Sequence, residues 1–397
     1  MLILIAPDSF KGCLSAQGVA AAMAAGLQQA FPEAELLQVP VADGGEGTVA
    51  ALVRAAGGSL RVTVVQGPLE TPVAATWGIL GDGVTAVIEM AAASGLPLVP
   101  PGQRDAGRAT SFGTGQLIQA ALDQGLRRIL IGLGGSATTD GGSGMARALG
   151  VRFLDADGQD LPNGGLALAE LARIDFSGLD PRLRETVLEG ACDVDNPLCG
   201  PRGAALTYGP QKGADPALVA ALEAALETFA RAAAAATGRD VAALPGSGAG
   251  GGLGAGLRFF TGARLRPGVE LVLEAVGFAV KVETANLVIT GEGRTDLQTL
   301  NGKAPLGVAA AAAQAKVPVV CLSGALGPGA EVLLQHGFTA LMSVAPGPIA
   351  LEASLAEAPV LIRDAAARLG GLLRAGMLLE AGLAANAGPG IGLAPKP

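Results

Sequence analysis

Five times in a chain of 397 residues, an apolar run of strand length breaks off into a polar, glycine-rich loop. "LILIA" leads to "PDSFKG", "LLQVPV" to "ADGGEGT", "ILIGL" to "GGSATTDGG", "VLEGA" to "CDVDNPLCG" and "NLVIT" to "GEGRTD". Ala-rich segments of helical character alternate with these runs. That alternation predicts an α/β protein. In open parallel sheets, ligands bind beyond the carboxyl ends of the strands, at the crevice where strand order reverses. Five such loops can converge on one cleft, and a cleft between two α/β domains is the default site.

The regular βαβ spacing lies at the two ends of the chain and the less regular part in the middle. Ser15 is placed to cap the helix "AQGVAAAMAAGLQQAF", and "AELLQVPV" supplies a second strand. Short β-type runs follow near Arg61–Val65 and Val84–Met90, then a helix after "TSFGTG" and a hairpin at "VRFLDADGQ". Strand–helix spacing returns at "NLVIT", "VPVVCLSG" and "ALMSVAP". We therefore expect a Rossmann-like, doubly wound parallel-sheet domain built from both termini, residues 1–80 and 285–385. A second α/β domain, 81–284, is inserted into it, and 386–397 form a disordered tail.

Composition narrows the function. Net charge is −8, with one Trp, one Tyr and no basic tract, which argues against a nucleic-acid partner. The apolar stretch Ala217–Thr237 carries Glu223, Glu227 and Arg231, a pattern for a surface-packed helix and not for a membrane span. "MLILIAPD" has no basic leader, so no signal peptide is expected. Cys13, Cys192, Cys199 and Cys321 lack zinc or redox spacing and read as free thiols in a cytoplasmic protein. Only six of the 27 basic residues are lysines, and three of them, Lys11, Lys212 and Lys303, lie in glycine-rich motifs. His336 reads as an ordinary helix-end residue, and a chain with one histidine is a poor candidate for a triad hydrolase.

The loops specify chemistry. Gly132–Ala137 fits G-x-G-x-x-G/A after a strand, but Asp140-Gly141-Gly142 interrupts the helix that a dinucleotide fingerprint requires. The stretch reads better as a nest of backbone N–H groups, with the Ser136, Thr138 and Thr139 hydroxyls gripping phosphate oxygens. No Walker P-loop occurs in the chain. Asp193 and Asp195 sit two apart at a strand end and face one side if the strand stays regular. Glu292 and Asp296 flank Arg294. Carboxylates, Lys and Arg among glycine-rich loops suit phosphoryl transfer to a small hydroxyl compound: one acid faces the hydroxyl, others hold Mg²⁺, and cations bear the γ-phosphate charge. An NAD-dependent hydroxy-acid dehydrogenase and a non-catalytic organic-acid binder remain as rivals.

Seven motifs, "IAPDSFKGCLSA", "PVADGGEGT", "TSFGTGQLI", "GLGGSATTDGGSGM", "CDVDNPLCGPRGAA", "YGPQKGA" and "GEGRTDLQTLNGKAPLGVA", resemble in the same order those of the bacterial type 1 glycerate kinases. The likeness runs from about Ile3 to Arg374, with Thr139 where the family pattern carries Asn. It implies ATP-dependent phosphorylation of D-glycerate to 2-phosphoglycerate, with 3-phosphoglycerate as the alternative product. The expected cofactors are ATP and Mg²⁺ and the expected partner is glycerate, with no membrane partner. A homo-oligomer is left open.

Roles follow from chemistry. Asp193 is the first choice for the residue facing the acceptor hydroxyl, Asp296 the second, and Lys11 the phosphate or carboxylate cation. Arg294 offers a planar fork to the substrate carboxylate, and Asp8, Ser9, Asp43, Glu46 and Lys303 complete the substrate set. Gly134, Gly135, Ser136, Thr138, Asp140 and Lys212 are expected at the nucleotide, and Asp195 and Glu292 at the metal.

Overall fold

A computed structural model describes residues 1–42, 44–45 and 47–386. The chain divides into two compact α/β units. The first comprises Met1–Pro40, Ala279–Leu300 and the chain from Val308 on; the second comprises Val41–Phe278 and Asn301–Gly307.

The first unit is built on a five-stranded sheet in the order Ala340–Ser343, Val319–Ser323, Leu287–Thr290, Leu2–Ile5, Glu35–Gln38. All four pairings are parallel. "LVIT" and "VVCLS" are buried throughout, as expected for parallel strands covered on both faces. Helix Ala16–Ala30 begins at the cap expected from sequence, with the Ser15 Oγ accepting the Gly18 N–H at 3.2 Å. Its apolar stripe, Val19, Met23 and Leu27, packs with Ile3, Ile5 and Ile289 of the sheet and with Ile362 and Ala365 of helix Ala358–Asn386.

That helix pair crosses at Gly26. A Cβ there would stand 2.1 Å from the Arg363 carbonyl oxygen and 2.8 Å from the Ala366 Cβ. Only a bare Cα permits this approach. Gly26→Val is expected to cost about 1–3 kcal/mol through overpacking, read as a lowered denaturation midpoint; a midpoint equal to the parent's would contradict the packing described.

The second unit carries a six-stranded sheet in the order Arg264–Arg266, Val187–Ala191, Arg128–Gly132, Thr85–Glu89, Pro72–Ile79, Ser59–Gln66. The first four strands are parallel, and the last two are added antiparallel. Trp77, Ile88, Leu117, Ile131, Met145 and Leu253 belong to one core. A second core gathers Phe229 of the long helix Pro216–Thr237 with Phe153, Phe259 and Phe260. Its rings meet edge to face, Phe153 on Phe260 at 5.8 Å and Phe229 on Phe259 at 5.9 Å. The helix starts on Asp215, whose side chain accepts from the Leu218 N–H, and stops at Gly238 with φ +69°.

One expected boundary moves. The first boundary falls at residue 41 and not at 80, because Ser59–Gln66 pairs over its whole length with Pro72–Ile79, which continues into Thr85–Glu89 of the second sheet. Ser59–Gln66 alternates polar and apolar residues and is largely exposed, the pattern of an antiparallel edge strand and not of a buried parallel one. The hairpin expected at "VRFLDADGQ" is present in short form: Leu154 bridges antiparallel to Asp160, the Asp155 N–H donates to the Gln159 carbonyl at 3.0 Å and the Leu161 N–H to the Phe153 carbonyl at 2.9 Å, and Arg152–Leu154 pairs in addition with Arg173–Asp175. Asp43, Glu46 and 387–397 lie outside the described residues; Asn386 ends the last helix. No helix among the described residues is long and apolar enough to cross a membrane.

Candidate active site

In the first unit, two strand-end loops lie side by side because their strands, Leu2–Ile5 and Leu287–Thr290, are paired. The Asp8 N–H donates to the Gly291 carbonyl at 2.9 Å. Gly293 lies beside the backbone of Phe10 and Lys11: a Cβ there would make ordinary contact, 3.6 Å from the Lys11 backbone nitrogen and from the Phe10 Cα. Sequence positions 8–11 and 292–296 thereby form one cluster. Asp8 is buried and accepts from the Ser9 N–H at 2.6 Å, whereas Lys11 is exposed.

Glu292 is buried, with its Oε1 accepting from Thr299 Oγ1 at 2.6 Å and Thr295 Oγ1 at 3.2 Å. Ser323 and Cys321 extend the network, Thr295 Oγ1 lying 2.6 Å from Ser323 Oγ. Burial pushes the Cys321 thiol up to about 11, leaving it protonated and unreactive. Arg294 is mostly exposed, and its Nε donates to Asp296 Oδ2 at 3.1 Å. The other Asp296 oxygen accepts from the Gln298 N–H at 2.9 Å, so Asp296 is held by its own turn and by Arg294.

In the second unit, Asp193 is exposed just past strand Val187–Ala191, and its Oδ1 accepts the Gly268 N–H at 2.8 Å. Gly268 opens helix Gly268–Ala275, so a carboxylate stands at a helix N-terminus, where the dipole favours negative charge. Gly44 of the "ADGGEGT" loop lies against it, so close that a Cβ on Gly44 would stand 3.8 Å from Asp193 Oδ2. Asp195, two residues on, turns to the surface and pairs with Arg202. Both partners are about two-thirds exposed, so the pair holds little energy. Lys303 is half-buried, and its carbonyl accepts from Leu306 and Gly307 at the start of helix Ala304–Gln314.

The glycine-rich loop after Arg128–Gly132 differs from expectation in one respect. Its hydroxyls turn inward. Ser136 Oγ accepts from Lys212 Nζ at 2.8 Å, Thr138 Oγ1 donates to the Gly250 carbonyl at 3.3 Å, and the buried Thr139 hydroxyl has no partner among the described residues. Asp140 is fully buried and accepts from Ser111 N–H and Oγ–H and from the Gly142 and Gly144 N–H groups. Burial raises its carboxyl above the usual range, against the pull of those four donors. Asp140 therefore ties this loop to "TSFGTG" through bonds inside the protein. What remains exposed is the Gly134–Gly135 tip, with Gly135 at φ +73°. No helix starts until Ser143, so a pyrophosphate at the tip would have no helix N-terminus under it, contrary to the dinucleotide fingerprint.

This loop has a partner that sequence reasoning misses. Gly250, Gly251 and Gly252 all adopt positive φ inside the helical stretch Ala249–Phe260. The Gly251 carbonyl accepts the Gly141 N–H at 3.0 Å, and a Cβ on Gly251 would lie 1.8 Å from the Thr138 carbonyl oxygen. Two glycine-rich backbones thus run in direct contact. The signal is present in the sequence as "GSGAGGGLGAG", but a glycine run names no conformation by itself. A cavity of about 380 Å³ lined by Leu149, Gly150, Gly178, Asp180 and Arg182 holds none of the expected residues.

Acids, cations and glycine-rich loops beyond the carboxyl ends of parallel strands are the setting in which open α/β folds bind small ligands. The family model described as "Glycerate kinase family" matches residues 3–374. The chain is 52% identical over 352 residues to a glycerate kinase of Bacillus subtilis strain 168, covering 89% of this chain and 92% of that one. It is 50% identical over 344 residues to the glycerate 2-kinase of Escherichia coli K12, covering 87% and 90% respectively. A crystal structure of a candidate glycerate kinase 2 from Salmonella typhimurium LT2 superposes with a TM-score of 0.88 at 48% identity, covering 95% of this chain and 99% of that one. The chain belongs to the glycerate kinase family, and it is an enzyme of the phosphotransferase class.

Proposed function

We propose that this enzyme is a type 1 glycerate kinase that phosphorylates the 2-hydroxyl of D-glycerate from ATP in the cytoplasm. The observation that carries the reading is 50% identity to a named glycerate 2-kinase over 87% of the chain. The first unit's strand order supports the Rossmann-like, doubly wound reading. Numbered within the unit it runs 2-1-3-4-5, and Asp8–Lys11 and Glu292–Asp296 flank its switch point, between strands 1 and 3.

The residues divide the work. Gly134 and Gly135 receive the nucleotide's phosphates on exposed backbone, with Ser136, Thr138, Asp140 and Lys212 supporting the turn from below. Arg294 grips the substrate carboxylate with the Nη groups that Asp296 leaves, and Lys11 carries phosphoryl charge. Asp8, Ser9, Asp43, Glu46 and Lys303 complete the substrate set. Asp193 accepts the proton of the reacting hydroxyl while that oxygen bonds to the γ-phosphorus and the bond to the β-phosphate oxygen breaks, releasing ADP. Asp296 is the second choice for that role.

Among the described residues no group of three or more His, Cys, Asp or Glu side chains could hold a metal. One or two carboxylates plus substrate phosphates is the usual donor set for Mg²⁺, and Glu292 and Asp195 are the proposed carboxylates. Asp195 would have to leave Arg202. Mg²⁺ bound there would neutralise charge on the transferring phosphoryl group.

A melting scan separates the kinase from its rivals, since a ligand raises Tm by binding the folded state. MgATP is expected to raise Tm and NAD to leave it unchanged, with ADP release dependent on glycerate. A rise with NAD and none with MgATP would favour a dehydrogenase, and no response to either a non-catalytic binder.

A further inference from the structure

Lys212 is 2% exposed, whereas lysine is almost never buried without a counter-ion. It sits in the short turn Pro210–Lys212, and its Nζ donates to Ser136 Oγ at 2.8 Å and to the Thr138 carbonyl at 2.5 Å. Both acceptors are neutral, and an ammonium has three donors. No carboxylate pairs with Lys212 among the described residues. The charged group that acts on it across space is Asp140. Asp140 is engaged by four donors of its own loop and of "TSFGTG", and Arg147 feels Asp140 and Asp160. Arg104 donates to the Gln211 carbonyl at 3.1 Å. The residue Lys212 grips, Ser136, adjoins the exposed Gly134–Gly135 tip.

We propose that Lys212 is a positioning residue that takes up a proton when a nucleotide's phosphates seat on the Gly134–Gly135 tip, locking Ser136 and Thr138 beneath them. The inference rests on the reading that this loop receives the nucleotide. The physical basis is a buried cation lacking a counter-charge next to a surface built for an anion. Burial pushes the Lys212 ammonium down to about 7, with the Asp140 charge opposing. An anion arriving nearby favours the charged amine and raises that value. At pH 8 the free enzyme therefore holds Lys212 mostly neutral and the complex holds it charged, so binding consumes a proton. At pH 6 both states are charged and uptake vanishes.

The test is calorimetry of MgATP binding at pH 8 and pH 6, in two buffers of different ionisation enthalpy, with excess Mg²⁺ so that the γ-phosphate is already ionised. The wild-type enzyme is expected to take up most of one proton per nucleotide at pH 8 and almost none at pH 6. Affinity should weaken about tenfold between those values by proton linkage. Lys212→Met, near in length and uncharged, should bind MgATP more weakly at pH 6 with no uptake and a flat pH profile. Ser136→Ala keeps the amine and should keep the uptake while raising KM for ATP more than it lowers kcat. Wild-type binding without uptake at pH 8, or wild-type uptake retained by Lys212→Met, would overturn the proposal. If Lys212→Met does not fold, the wild-type measurement alone decides. Gly135→Val tests the underlying reading: unchanged MgATP affinity would remove the nucleotide from this loop, whereas lost affinity with unlinked Lys212 protonation would remove only the inference.

Discussion

Asp193→Asn is expected to lower kcat by about 10²–10⁴ while MgATP still raises the melting temperature. The substitution keeps an oxygen that can accept the Gly268 N–H, now made at 2.8 Å, so the start of helix Gly268–Ala275 should survive. What is lost is a carboxylate able to take the proton of the attacking hydroxyl. A second loss is the charge that the helix N-terminus favours, worth about 0.3–1 kcal/mol at an exposed site. Stability and catalysis thus separate: a small change in Tm against a large change in turnover. Wild-type turnover in Asp193→Asn would remove Asp193 from the chemistry and pass the role to Asp296.

Gly251→Ala should produce the largest loss of stability. Its Cβ would meet the Thr138 carbonyl oxygen at 1.8 Å and the Thr138 carbonyl carbon at 2.6 Å, and both are backbone. No rotamer change relieves such a collision. Alanine also pays about 1–2 kcal/mol for a left-handed backbone, since Gly251 has φ +70°. Together these place the cost in the exceptional range above about 4 kcal/mol, enough to unfold a domain of ordinary marginal stability. Gly238→Ala separates the two causes, because Gly238 has φ +69° and nothing within 4 Å of the added carbon. It should cost only the conformational term. Equal denaturation midpoints for the two variants would show that the contact between the glycine-rich segments carries no weight.

The elements that periodicity and capping control are legible in the sequence. Ser15 marks the start of its helix, and the largely apolar runs "LVIT" and "VVCLS" mark central parallel strands. The strand Pro72–Ile79 is not legible, because its stability comes from pairing with Ser59–Gln66 and from burying Trp77, and neither is local to "PVAATWGI". Strand-end loops can be recognised as polar and glycine-rich. Which of their side chains face outward cannot. Ser136, Thr138 and Asp140 look like ligand-facing groups in sequence, yet burial turns all three to internal bonds. Lys212 illustrates the same limit: its place in "GPQKGA" says nothing of a Nζ that spans 76 residues of chain to reach Ser136.

Phosphorus NMR of the product formed from D-glycerate and MgATP tests the central claim most directly. One new phosphomonoester signal is expected, coupled to the single proton at carbon 2 and growing as ADP is released. A signal coupled to the two protons at carbon 3 would contradict the 2-kinase assignment, and the absence of any glycerate-dependent phosphoester would contradict the kinase itself.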